Sequence, residues 1–200
     1  MTITMKKILV LAATMFASSF AMADDSVQLM KILGSKNSLF ATFESQTTNN
    51  KGTLVSQQTG TLKLKKPDHF MMHTLTPDET VLYTKDLAVV YYDSFVNQAT
   101  LFSKKDLYTS PFMLLNSQDK KLWSLYKVKS SGKCYNLTPV KDKTLKNISL
   151  CFENGNVNEL TLNMADGNVT VYKLSEQNKT LTDSDFKYTI PSDAQIDDQR

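Results

Sequence analysis

Histidine, cysteine and glycine are scarce in this 200-residue chain, at two, two and six copies, and each scarcity removes a class of chemistry. The two histidines, His69 and His73, would stand roughly 13 Å apart on one strand, too far to share a metal. The two cysteines, Cys134 and Cys151, lack the CxxC spacing of a redox or zinc pair. No HExxH, no GxSxG and no glycine-rich phosphate loop occurs. The acidic pairs Asp78-Glu79 and Asp197-Asp198 fall in turn-like or terminal segments, where solvated charge is their ordinary role. A hydrolase would need a nucleophile–base pair that the sequence does not display. The expectation is a protein that is not an enzyme, with no cofactor and no bound metal.

Charge of one sign is also missing. The formal net charge is +3, but Lys6 and Lys7 belong to an N-terminal stretch with the marks of an export leader. A short basic region precedes residues 8–20, which are mostly apolar or small, and Ala21-Met22-Ala23 offers small residues where a signal peptidase reads. The apolar stretch is shorter than the roughly 20 residues that span a bilayer, which disfavours an anchor. Whether translation starts at Met1 or Met5 is left open. Without Lys6 and Lys7, the 23 basic residues become 21 against 20 acidic ones. That even, scattered charge excludes a nucleic-acid partner. The expected organisation is a cleaved signal peptide, residues 1–23, and a single domain, residues 24–200, exported to an oxidising compartment. The leader contains no cysteine, so lipid attachment to the chain is excluded there.

In such a compartment two cysteines form a disulfide more often than a metal or redox pair. If residues 134–151 make one hairpin that turns between 139 and 146, a symmetric register sets Cys134 opposite Cys151. A bridge there is worth on the order of 3 kcal/mol.

Beyond the leader, residues 24–36 read as an amphipathic helix, with Asp24 and Asp25 at its N-terminus and Val27, Met30 and Leu33 at helical spacing. Short strand-like segments follow at 39–47, 59–65, 70–75, 80–84, 87–92, 98–103, 123–129, 134–138, 147–152, 157–164, 169–175 and 186–190. Turn residues separate them, among them Lys66-Pro67-Asp68, Thr76-Pro77-Asp78, Ser131-Gly132 and Ala165-Asp166-Gly167. Short loops predict antiparallel neighbours, and eleven or twelve strands predict one large curved sheet or a barrel. Phe70 and Met72 would face one side of their strand, Met71 and His73 the other. An apolar sheet face needs cover, yet the helical material is slight: residues 24–36 and a stretch around Ser110-Pro111-Phe112-Met113-Leu114-Leu115, where Pro111 fits a first helical position. Either the barrel closes on itself or an apolar hollow remains for a ligand.

These segments resemble the LolA family of periplasmic outer-membrane lipoprotein carriers. The resemblance begins at Leu39-Phe40-Ala41-Thr42-Phe43. It continues through Gly60-Thr61-Leu62-Lys63-Leu64-Lys65-Lys66-Pro67-Asp68-His69-Phe70, similar to the family's Gly-x-Leu-x-x-x-Arg-Pro-x-x-Phe pattern. Thr76-Pro77-Asp78-Glu79, Tyr92-Asp93-Ser94-Phe95-Val96-Asn97-Gln98-Ala99-Thr100, Ser110-Pro111-Phe112-Met113-Leu114-Leu115, Leu137-Thr138-Pro139 and the terminal Asp197-Asp198-Gln199-Arg200 follow in family order. The resemblance implies a mainly β fold with short helices: an unclosed antiparallel β-barrel of about eleven strands, covered by a helical lid over an apolar cavity. It implies a monomeric carrier that takes triacylated lipoproteins from an inner-membrane ABC transporter, crosses the periplasm and passes them to an outer-membrane receptor. It also implies that an arginine before the proline latches the lid through backbone carbonyls. Here that position is Lys66, which keeps the charge but lacks the planar fork of donors. The family's aromatic after the phenylalanine is Met72, and a tryptophan common before Tyr92 is Val90.

Phenylalanine and methionine suit an acyl-chain lining, because flexible thioethers pack against variable chains. Candidates for the cavity wall are Leu64, Phe70, Met72, Leu82, Met113 and Leu115, against ordinary core packing for each. A polypeptide-binding chaperone using the same face is the alternative function. The pathway's outer-membrane receptor, which shares the architecture, is disfavoured because Asp24 stands where its lipidation cysteine would be.

Overall fold

The computed structural model describes residues 24–104 and 110–200. The predicted leader, with its start and cleavage positions, lies outside them.

Helix α1 (Asp25–Gly34) starts where the Asp24 carboxylate accepts the Ser26 N–H at 3.1 Å. Asp25 lies in its first turn and Lys31 in its last, both favourable to the helix dipole. Leu29 and Leu33, four residues apart, form its buried stripe. Strands β1 (Ser38–Thr48), β2 (Leu54–Lys65), β3 (His69–Thr76), β4 (Thr80–Lys85), β5 (Ala88–Asp93) and β6 (Gln98–Ser103) then form a meander. A 3-10 turn (Pro111–Leu115) and a one-turn helix α2 (Lys120–Trp123) interrupt it. A second meander follows: β7 (Tyr126–Ser131), β8 (Cys134–Pro139), β9 (Leu145–Glu153), β10 (Asn156–Met164) and β11 (Val169–Glu176). A second 3-10 turn (Asp183–Phe186) and β12 (Gln195–Asp198) end the chain.

All twelve strands form one sheet in the order β12-β6-β5-β4-β3-β2-β1-β11-β10-β9-β8-β7. β1 joins the two meanders by pairing antiparallel with β11. The terminal strands β12 and β7 do not pair with each other, so the barrel stays unclosed.

Three details differ from the expectation. Among the twelve strands one pair, β12 with β6, is parallel and not antiparallel. The predicted strand at 186–190 is instead the end of the second 3-10 turn followed by irregular chain. Phe186, Tyr188 and Ile190 alternate because they anchor into the sheet's outer face, not because their backbone joins a ladder. Trp123 ends α2, and β7 begins only at Tyr126.

Phe70 and Met72 do face one side of β3, and Met71 the other, but the sheet carries two apolar faces there. The inner face gathers Phe43, Leu62, Leu64, Phe70, Leu137, Ile148 and Leu160 around α1, the first 3-10 turn and α2. On the outer face, Met71, Val81, Tyr83, Val90, Tyr92 and Ala99 pack beneath Leu181 and Phe186. Buried on both sides, β5 reads as the continuous apolar run Ala88-Val89-Val90-Tyr91-Tyr92.

Candidate functional site, a lidded apolar face

Strand register assembles the inner face. Leu64 stands opposite Phe70, Leu62 opposite Met72, and Met72 opposite Leu82. Leu64 and Phe70 are fully buried, while Met72 and Leu82 are half-buried against the same cluster. Met113 and Leu115 reach it from the 3-10 turn, where Pro111 takes the first helical position and the Met113 N–H returns to the Ser110 carbonyl at 3.0 Å. The fold therefore gathers all six candidate cavity residues into one apolar cluster.

Sequence reading passed over several members of that cluster. Phe112 meets Tyr172 edge-on at 5.0 Å, and Phe43 meets the same ring at 5.8 Å. Burial pushes the Tyr172 phenol above its usual range. The signal for Phe43 was Gly60: a Cβ there would stand 2.2 Å from the His73 carbonyl oxygen and 2.8 Å from the Phe43 ring. Only glycine leaves that ring its place.

The lid is α1 together with residues 110–123. Lys66 Nζ donates to the carbonyls of Gly34, at 2.9 Å, and Lys36, at 2.5 Å, so the cation sits at the C-terminal end of α1. Burial lowers its pKa. Lys36 Nζ in turn reaches the Glu176 carboxylate at 2.6 Å and Asn156 Oδ1 at 2.7 Å. The two parts of the lid meet where Gln118 Nε2 donates to the Met30 carbonyl at 3.1 Å. At the other end of α1, the Asp25 carboxylate accepts from Ser130 N and Oγ, which lowers the Asp25 pKa.

Under this lid the buried side chains of Leu29, Leu33, Phe112 and Leu114 pack onto the sheet. The cavity between α1 and the sheet measures about 20 Å³, lined by Ile32, Leu33, Leu39, Leu115, Phe152 and Val157. That is room for about one water molecule. The lid's own side chains fill the hollow, so a ligand on this face has to displace them. Among the described residues four buried side-chain polar atoms have no hydrogen-bond partner, and the one in the lid is the Asn116 carboxamide nitrogen, at the foot of the 3-10 turn.

Cys134 and Cys151 stand opposite each other on β8 and β9 and are joined by a disulfide. His73 Nε2 lies 2.7 Å from Glu79 Oε1, and the His69 ring packs 5.1 Å from that of Phe186, so each has a structural place. Among the described residues no group of three His, Cys, Asp or Glu side chains could hold a metal ion.

A family model described as outer membrane lipoprotein carrier protein LolA matches residues 35–189. The chain belongs to the LolA family. An outer-membrane lipoprotein carrier protein of Proteus mirabilis is 35% identical over 201 residues, covering 98% of this chain and 100% of the relative. One from Shewanella amazonensis is 31% identical over 202 residues, covering 98% and 99%. Among solved structures, an uncharacterized conserved protein from Thermus thermophilus superposes with a TM-score of 0.57 at 12% identity, over 87% of this chain and 99% of its own. That last likeness speaks for the fold alone. LolA proteins are carriers and not catalysts, which agrees with the missing catalytic motifs.

Proposed function

We propose that this chain is a periplasmic carrier that shelters the acyl chains of triacylated lipoproteins. It receives them from an inner-membrane ABC transporter and delivers them to an outer-membrane receptor. The observation that carries the reading is the continuous apolar inner face, covered by a lid whose polar ties are few and sit at its ends. Each methylene taken from water is worth about 0.8 kcal/mol, so three acyl chains carry tens of kcal/mol of driving force. Displacing Leu29, Leu33 and Met113 from the face exchanges one apolar contact for another, which leaves most of that force for cargo. Leu64, Phe70, Met72, Leu82, Met113 and Leu115 form the wall, and Lys66 holds α1 closed. Residues 1–23 act as the cleaved leader and 24–200 as the carrier domain; the disulfide suits an oxidising compartment.

The test places charge on the half-buried part of the wall. Met72→Glu is a better probe than Phe70→Glu, because Phe70 is 0% exposed and a carboxylate there would also damage folding. Wild-type protein mixed with a detergent-released triacylated lipoprotein is expected to form a one-to-one complex, and M72E to form none while melting as a folded protein. If the wild type ignores acylated cargo and instead binds unfolded polypeptide that no lipid displaces, the carrier reading is wrong and the chaperone alternative replaces it. Lys66→Leu is expected to speed cargo exchange more than it alters stability.

A further inference from the structure

The turn between β5 and β6 holds large apolar side chains out in water. Phe95 is 80% exposed and Val96 56%, and Ile196, on the adjoining β12, is 61% exposed. Scattered apolar residues on a surface need no explanation, but this turn is built to stay in place. The Asp93 carboxylate accepts the backbone N–H groups of Phe95, at 2.9 Å, and Val96, at 3.4 Å. Ser94 N donates to the Glu79 carbonyl at 3.0 Å. Asn97 takes a positive φ of 50°; its side chain accepts from the Tyr92 hydroxyl and donates to Asp193, and its carbonyl accepts from Gln195 N. A phenylalanine presented on a braced turn has lost its ordering entropy before any partner arrives, which is what an interface anchor requires.

The acidic groups around it outnumber the basic ones and most stand unpaired. Asp78, Asp93, Asp193 and Asp197 lie on the turns and strand that meet at this corner, and none forms an ion pair among the described residues. The nearby cation, Arg200, is taken by Asp198. An acidic collar is repelled by anionic lipid headgroups and attracted to a cationic protein surface.

We infer that this corner is a docking surface for a protein partner that offers an apolar pocket rimmed by Lys and Arg. It lies apart from the inner face, so cargo binding and partner docking use different residues. The inference rests on the carrier reading above, with the partner being a membrane protein that supplies or accepts the cargo.

Phe95→Ser tests it, since a side chain this exposed is not needed for folding. Wild type and F95S are loaded with a triacylated lipoprotein from detergent, then mixed with outer-membrane vesicles; receipt of lipoprotein from inner-membrane vesicles is measured in parallel. Loading and melting are expected to be equal, and at least one handover to slow by about tenfold or more in F95S. Asp78→Lys with Asp197→Lys is expected to slow the same handover. Vesicles of phosphatidylethanolamine and phosphatidylglycerol alone are expected to bind neither protein. Wild-type rates for F95S at both membranes overturn the docking surface, as does Phe95-dependent binding to the lipid-only vesicles. A wild type that takes up no lipoprotein overturns the carrier reading, and this inference falls with it.

Discussion

Strands β3 to β6 are apolar on both faces, and the two faces are covered by different means. Over the outer face runs the C-terminal strap, residues 177–194, continued into a sheet strand by β12 pairing with β6. Charge-assisted contacts from β2 pin it at the second 3-10 turn, Lys63 Nζ to the Asp185 carbonyl at 3.0 Å and Lys65 to Asp183 at 2.7 Å, while Lys179 and Asp185, 2.6 Å apart, brace the strap internally. The Tyr188 hydroxyl donates to Glu79 at 3.1 Å. The lid over the inner face joins no ladder. It is held to the sheet by packing, by Lys66 on backbone carbonyls and by Asp25 at its far end; Gln118 ties its two parts together, and it traps an unpartnered Asn116 amide. Apolar packing can be replaced like for like by an acyl chain; a hydrogen-bonded ladder cannot. On the proposed function, the outer cover is a permanent part of the fold and the inner one an exchangeable part.

The comparison can be broken most sharply at Phe186, which anchors the strap and is 4% exposed. Phe186→Ala is expected to destabilise the whole protein by about 3–5 kcal/mol, read by urea unfolding, while the folded fraction still takes up cargo. Equal damage to uptake would mean that the two covers are not independent. Next in size is the disulfide, which lies under neither cover. Replacing both Cys134 and Cys151 by serine is expected to cost about 3 kcal/mol of global stability and to leave the rate of lid opening, followed by hydrogen exchange of α1, unchanged.

At the lid itself the expected effect has the opposite sign. Asn116→Leu removes the buried amide that lacks a partner, so it is expected to stabilise the closed form by about 1–2 kcal/mol and to slow cargo uptake. An unchanged uptake rate would show that opening does not pass through the 3-10 turn. The smallest effect belongs to pH. Burial, followed by the neighbouring Glu79 carboxylate, pushes the Tyr188 phenol up to about 12 from an ordinary 10. Since the folded value is raised, this contribution is fully present below pH 10 and is lost as pH rises towards 12. Folding stability read by urea unfolding is expected to fall across that window, and to fall less in Tyr188→Phe.

Much of the fold was legible because its signals are local. Alternation in β3, turn residues between strands, and the symmetric spacing of Cys134 and Cys151 depend only on near neighbours and on strand period. The errors fall where local and tertiary signals part. Phe186, Tyr188 and Ile190 alternate like a strand, yet the sheet face below them decides their alternation. Gln195–Asp198 ends in two aspartates with poor strand propensity, yet β6 offers its edge and a ladder forms. The start of β2 at Leu54 was passed over because Ser56-Gln57-Gln58 shows no apolar period, and the long hairpin with β1 supplies the order instead.

In the site the division is similar. Period and composition placed Leu64, Phe70, Met72, Leu82, Met113 and Leu115 as apolar members of strands and a short helix, and the family resemblance, through its arginine before the proline, marked Lys66. That these six share one cluster, that Lys66 ends on the carbonyls of Gly34 and Lys36, and that the hollow is filled by its own lid are matters of register and of chain crossings between residues dozens of positions apart. Sequence by itself determined which side chains avoid water. Only the tertiary structure decided which of them meet, because a sheet of twelve strands brings distant segments together through backbone pairing that is blind to side-chain identity.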